Sequence, residues 1–326
     1  MKNKSLWRML QRTFFLRGLM LCVCGLVLGG CSKGAAVVGK NQQGYSLPEI
    51  MVIAMAEKNR YEEVCTDQIW SVKVSEENSD FASYLTEQIK SFMEEMKIMC
   101  LLAAEKNVVL SPEESSAMAD AADEYYGKLT KEDISYMKVS KEDVTKVFED
   151  YCLANKLVEE LTKDVNLEVS DSEAKVIAVT QAKMDSREAA DTLILAASQE
   201  KADFSRCAES VGAAVTTRQL GRAEESKVFE DAAFSLLAGE ISEVIEEGDS
   251  FYVLKCVDDY DEEATKNRKE TIFKERKRKA FEEIYVGFKE KTTLSYEGEP
   301  WKELKLSGEA FAKDADFFDI YGKYEK

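Results

Sequence analysis

The chain has 326 residues, 44 Lys and Arg against 62 Asp and Glu, eight cysteines, three prolines and no histidine. That length holds one large domain or two modest ones, each able to bury a core. A net charge of −18 argues against a binder of nucleic-acid phosphates, and the missing histidine excludes Ser-His-Asp and Cys-His nucleophiles, His-ligated zinc and imidazole acid–base chemistry.

Residues 1–30 read as a signal peptide. Lys2, Lys4, Arg8, Arg12 and Arg17 form a basic flank without an acid, and the apolar run Gly18 to Leu28 follows. The run is shorter than the ~20 apolar residues a membrane-spanning helix needs. Leu28-Gly29-Gly30-Cys31 resembles the bacterial lipobox, whose cysteine takes a diacylglyceryl group and becomes the mature N-terminus. The plainer alternative is an ordinary signal peptide that happens to end near a cysteine. Residues 31–44, small and polar, read as a lipidated tether. Removing the five leader cations takes the net charge to −23, so anionic headgroups would repel the body and the lipid has to hold it. Cys22 and Cys24 leave with the leader. Cys65, Cys100, Cys152, Cys207 and Cys256 stay in the body, an odd set without a Cys-x-x-Cys, and read as small core hydrophobes rather than a disulfide framework.

The segment 45–167 is predicted to be helical. Ser46-Leu47-Pro48-Glu49 places a cap before a first-turn proline and opens a helix to about Cys65. From Phe81 to Ala103 apolar residues recur every three to four positions, the period of an amphipathic helix. Ser111-Pro112-Glu113-Glu114 is a capping box, and Thr130 and Ser140 begin a short and a long helix. No Gly-rich phosphate loop and no acidic loop of the EF-hand type occurs.

The period changes near Ser170. Lys175 to Ala182 and Ser250 to Val257 read as strands, with short helices over Ser186 to Ala197, Asp203 to Val211 and Val228 to Leu236. Gly239-Glu240-Ile241-Ser242 turns into a further β segment, which makes 168–260 a small α+β domain. The acidic linker Asp258 to Glu263 leads into a helix over Ala264 to Lys291. Residues Lys266 to Lys291 hold ten Lys and Arg against five Glu, so this helix is expected to pack on the acidic N-terminal helices, and the 261–326 flank with it, the alternative being binding to a membrane surface.

Ala202-Asp203-Phe204, Gln219-Leu220-Gly221, Phe229-Glu230-Asp231-Ala232-Ala233-Phe234-Ser235-Leu236 and Gly239-Glu240-Ile241-Ser242, followed by the strand to Lys255, resemble the parvulin family, the PpiC-type peptidyl-prolyl cis-trans isomerases. The match covers about Lys175 to Asp258. With helical flanks and a lipobox, the whole resembles extracytoplasmic foldases of the PrsA and SurA type. The resemblance implies an α+β fold in which a mostly helical chaperone-like domain, built from both flanks, carries an inserted parvulin-like domain.

The catalytic pattern is absent. Where parvulins place two facing histidines, this chain has Thr180 (or Gln181 with a one-residue shift) and Tyr252. The family's acidic or thiol position falls near Val211 to Ala213, Cys207 aligns with a helix-core leucine, and the family's Asp is Gln219. The resemblance leaves an apolar client groove of Leu220, Phe229 and Phe234, and no catalytic residue is assigned with confidence. The expected function is a membrane-anchored folding factor that binds unfolded or newly exported polypeptides with little isomerase activity. The alternative is an active isomerase with substituted residues. No cofactor, metal or nucleic acid is implied, and the lipid on Cys31 would place the body on the extracytoplasmic face. Met51, Met55, Met93, Met96, Met99 and Met118 suit promiscuous apolar binding or simply fill the helical core. The aromatic tail Asp316 to Tyr321 is expected either to dock on the body or to reach a client.

Overall fold

A computed structural model describes residues 42–74 and 80–325, so the leader, Cys31 and the tether before Gln42 lie outside the described residues. The chain is α+β and divides into two units. The first joins residues up to Lys163 with Phe281 and beyond, and the second is the insertion Asp164–Ala280. No helix among the described residues is long and apolar enough to cross a membrane.

The first unit is a helical bundle. Its elements are β1 (Gln42–Gln43), α1 (Leu47–Cys65), α2 (Phe81–Glu105), α3 (Pro112–Lys128), α4 (Lys131–Met137) and α5 (Lys141–Thr162). Ser111, Thr130 and Ser140 each accept from the backbone of the third helical residue, whose carboxylate returns a bond to the cap, as their spacing predicts. Ile50 to Ala56 are all buried, so this stretch of α1 is apolar all round and lies in the middle of the bundle. α5 packs against α1, α2 and α3. The six methionines named above line this core, each no more than 5 % exposed, so they fill it.

The C-terminal flank completes the bundle. Phe281 and Tyr285 enter its core, followed by β6 (Leu294–Ser295) and α11 (Pro300–Glu303), then by the irregular segment 304–316 and α12 (Phe317–Tyr324). β6 pairs in parallel with β1, and a Cβ on Gly44 would overlap the Tyr296 ring, so only glycine fits there. The aromatic tail docks on the body. Phe317, Ile320 and Tyr321 are buried, and Phe317 lies 4.3 Å from Phe148 between ring centroids.

The inserted unit holds α6 (Asp171–Ala174), β2 (Val176–Met184), α7 (Arg187–Ala197), α8 (Phe204–Ser210), β3 (Ala214–Gly221), α9 (Lys227–Ser235), β4 (Ile245–Glu247), β5 (Ser250–Asp258) and the start of α10 (Glu262–Lys289). Its sheet is antiparallel in the order β3-β2-β5-β4. One face carries Ile177, Val179, Leu220, Leu254 and Cys256 with α9. The other carries Ala182, Met184 and Val253 with α7 and α8. The insertion ends at Ala280 rather than 260 because the first turns of α10 belong to it. Thr265 takes the Val176 N–H at 3.0 Å, Arg268 meets Glu224 at 2.5 Å, Lys269 meets Asp171 at 2.7 Å, and Arg276 pairs with Glu173. Toward the helix end, Lys289 meets Glu95 of the first unit at 2.9 Å. The first turns of the basic helix thus pair with acids of the insertion, and Lys289 pairs with α2, the side to which the sequence pointed.

Candidate functional site

Strand pairing decides which residues share the groove face. In an antiparallel sheet directly opposed residues point the same way and neighbours along a strand alternate. Lys183 opposes Tyr252, Gln181 opposes Leu254 and Val179 opposes Arg218, so these residues lie on the α9 face. Thr180 opposes Lys255 and Thr217 and lies on the other face, where its hydroxyl is 2.8 Å from that of Thr217. Thr180 and Tyr252 are therefore not brought together. Gln181, one residue on, shares the face of Tyr252, because a shift of one position inverts a strand.

Two of the three residues expected to line an apolar groove lie instead in the buried core between the sheet and α9. Leu220 is fully buried and Phe229 is 1 % exposed. Phe234 and Tyr252 are half-buried and complete the wall. The Tyr252 ring meets Phe229 edge-on, with centroids 5.7 Å apart at 78°. Arg222 lies over the Phe234 ring at 3.9 Å, a cation–π contact that covers part of the wall.

A polar row crosses this face. Arg218 donates from Nε to Gln181 at 3.1 Å and from Nη2 to Glu225 at 2.5 Å, with its guanidinium carbon 5.7 Å from the Phe229 centroid. Lys183 reaches over Tyr252 with Nζ 5.9 Å from the ring. Sequence reasoning missed Arg218, Arg222 and Lys183. The β-branched run Val215-Thr216-Thr217 was the available signal for β3, and the strand would have placed Arg218 beside Gln181.

Among the described residues no cysteine supplies a nucleophile to this face. Cys256 is buried in that core, and burial, then Asp259 and Asp258, push its thiol above the usual range. Cys207 packs against the opposite face with α7 and α8. Cys65, Cys100, Cys152, Cys207 and Cys256 are all free. Among the described residues no three His, Cys, Asp or Glu side chains converge as a metal site.

A polar cavity of about 590 Å³ lies away from the groove, against the start of α10, lined by Gln219, Gly221, Glu224, Asp261, Asn267 and Arg268 among others. Gln219 donates to Asp261 at 2.7 Å, and a Cβ on Gly221 would overlap the Arg268 guanidinium. The cavity holds none of Leu220, Phe229, Phe234 and Tyr252.

No protein-family model and no curated protein matches the chain. Solved structures similar to it include the peptidyl-prolyl isomerase PrsA of Bacillus cereus, at 18 % identity and a TM-score of 0.30 over 74 % of this chain and 91 % of that one. The foldase PrsA of Streptococcus pneumoniae aligns at 16 % identity and 0.25, over 68 % and 89 %. A SurA-like chaperone of Campylobacter jejuni aligns at 12 % identity and 0.28, over 63 % and 86 %. A TM-score of this size does not establish a shared overall arrangement.

Proposed function

We propose that the chain is an extracytoplasmic protein-folding factor, anchored to the membrane by a lipid on Cys31, that binds unfolded exported polypeptides and isomerises proline poorly. The carrying observation is the make-up of the groove face. An apolar floor and wall lie under a rim of Gln181, Arg218 and Tyr252, with no acid–base pair among them. Rotation about an X–Pro bond crosses ~18–20 kcal/mol and needs no bond to break, so what a protein supplies is desolvation and dipoles fixed toward the twisted imide. The guanidinium on this face is already held by Gln181 and Glu225. Apolar contact with Phe234 and Tyr252 adds affinity for ground and transition states alike, which favours binding over turnover.

The test is a proline-peptide isomerisation assay beside an aggregation-suppression assay, on protein beginning at Ser32. Suppression with an isomerisation rate near the uncatalysed one is the expected result. A rate comparable to that of an intact parvulin, lost on Tyr252→Phe, would overturn it in favour of an active isomerase. For the anchor, Cys31→Ala is expected to leave the membrane fraction, and retention with unchanged processing would refute it.

A further inference from the structure

The sheet of the inserted unit has two edges, and the chain guards them unequally. At β4 the edge strand is three residues long and carries Glu246 and Glu247. The segment 239–242 then continues the cover along β5. Gly239 donates to the Cys256 carbonyl at 2.8 Å, Ser242 to that of Leu254 at 2.8 Å, and Cys256 to that of Glu240 at 2.9 Å. At β3 the edge runs eight residues, Ala214 to Gly221, in unbroken register with β2. It holds no proline, lysine, acid or bulge, the devices that keep an exposed edge from pairing with another chain.

Register fixes which backbone groups of β3 face away from the sheet. Val176 donates its N–H to Thr265 and accepts the Asp261 N–H, so its peptide groups turn away from β3. Alternation then turns those of Ile177, Val179 and Gln181 toward β3, where they meet Leu220, Arg218 and Thr216. The N–H and C=O groups of Val215, Thr217 and Gln219 therefore point outward, and among the described residues no protein group bonds to them. Gly221, next in this row, is closed off. Its N–H meets Glu224 at 3.0 Å and the Arg268 guanidinium lies over it.

We propose that this edge is a docking site for an extended, proline-poor stretch of an unfolded polypeptide, which adds to the sheet as a fifth strand. This rests on the foldase reading above and gives it a contact that reads backbone rather than proline. Outward N–H and C=O groups on alternate residues match any extended chain, so binding is tolerant of sequence. The flanking side chains ask little of the occupant. Thr216, Val215, Thr217 and Gln219 are neutral, and the Arg218 charge is already met by Glu225. Proline is refused wherever the added strand must donate to β3. A second copy of this chain is the poorer occupant. Two such acidic molecules repel each other, and one strand pair falls short of the ~1,200 Å² that a stable interface buries.

The test uses the chain from Ser32 with a fluorescent, proline-free octapeptide rich in valine and threonine as probe. N-methylation of alternate residues along one probe edge stops it pairing with itself and leaves the other edge to bind. Hydrogen exchange at the Val215, Thr217 and Gln219 amides is expected to slow about tenfold when the probe saturates the protein. Methylating the middle of the second probe edge as well is expected to weaken binding about tenfold. Thr217→Pro is expected to do the same, since it removes an outward donor and no ladder bond, with circular dichroism checking that the fold is kept. Unchanged exchange at the three amides in the saturated complex, or equal affinity for the two probes, would overturn this inference. Protection of those amides without probe, growing with protein concentration, would assign the edge to a second copy and overturn it too. Failure to bind the probe while the protein still suppresses aggregation would overturn this inference alone. Probe binding at the edge without aggregation suppression would overturn the foldase reading alone.

Discussion

Phe229 sits between the sheet and α9, with the Tyr252 edge on one side and the Arg218 guanidinium on another. Truncating a buried phenylalanine to alanine removes its transfer energy and leaves a cavity, at a cost of ~3–5 kcal/mol. Phe229→Ala is therefore expected to lower the urea midpoint of the protein sharply, and any lost client binding would follow from unfolding. Tyr252→Phe removes one hydroxyl from a half-buried ring and is expected to stay within ~0.5 kcal/mol. Equal midpoints for the two variants would show that Phe229 does not hold the core. The apolar pattern made Leu220, Phe229 and Phe234 legible as a group but not their depth, because depth depends on α9 closing over the sheet. Choosing between Thr180 and Gln181 needed strand register, which one-residue arithmetic on a sequence does not fix. Arg218 stayed hidden because its strand did.

Helix starts were legible because they are local. Ser111, Thr130 and Ser140 each satisfy orphan amide groups within one turn, and the same residues announce this in the sequence. β3 was not legible, since Ala214 to Gln219 is largely solvent-facing and its place comes from pairing with β2 rather than from a strong pattern of its own. The irregular segment 304–316 was not legible either, because its partners lie on α1 and α4, far away in sequence. Asp133 links both kinds of contact. It accepts the Thr130 N–H at 2.9 Å and hydroxyl at 2.8 Å within the capping box of α4, and the Ala312 N–H of the segment 304–316 at 2.8 Å. Burial acts to raise its pKa, but the bonds from Ala312 and Thr130 outweigh it and hold the carboxyl below the usual aspartate range. The ionised form is thus favoured in the folded state. Its stabilisation is fully present above the unfolded-state value and is lost as pH falls through the lower folded-state value. Asp133→Ala is expected to cost ~1–3 kcal/mol at neutral pH by stranding the buried Ala312 N–H. Urea denaturation at a series of acid pH values should show less acid sensitivity in the variant, and identical pH profiles would refute the assignment.

At the scale of the molecule, the first unit is closed by residues from both ends of the chain. Phe281, Tyr285, Leu304, Leu306, Phe317, Ile320 and Tyr321 lie in the same core as Ile53, Met93 and Phe148. Burial of each large apolar side chain is worth ~1.5–3 kcal/mol, while a whole domain keeps only ~5–15 kcal/mol of net stability. The N-terminal helices should not survive loss of that share. The insertion should, because its sheet and both of its apolar clusters fall within Asp164–Ala280. A truncation running from Ser32 to Ala280 separates the two outcomes. Its sole tryptophan is Trp70, 5 % exposed in the first unit, since the insertion has none and Trp301 is removed. Trp70 fluorescence is expected to show a solvent-exposed indole and no cooperative urea transition, while circular dichroism retains a cooperative transition from the insertion. A cooperative Trp70 transition at the midpoint of the intact chain would mean that the N-terminal helices fold without the C-terminal flank, and the shared core would not be what holds them.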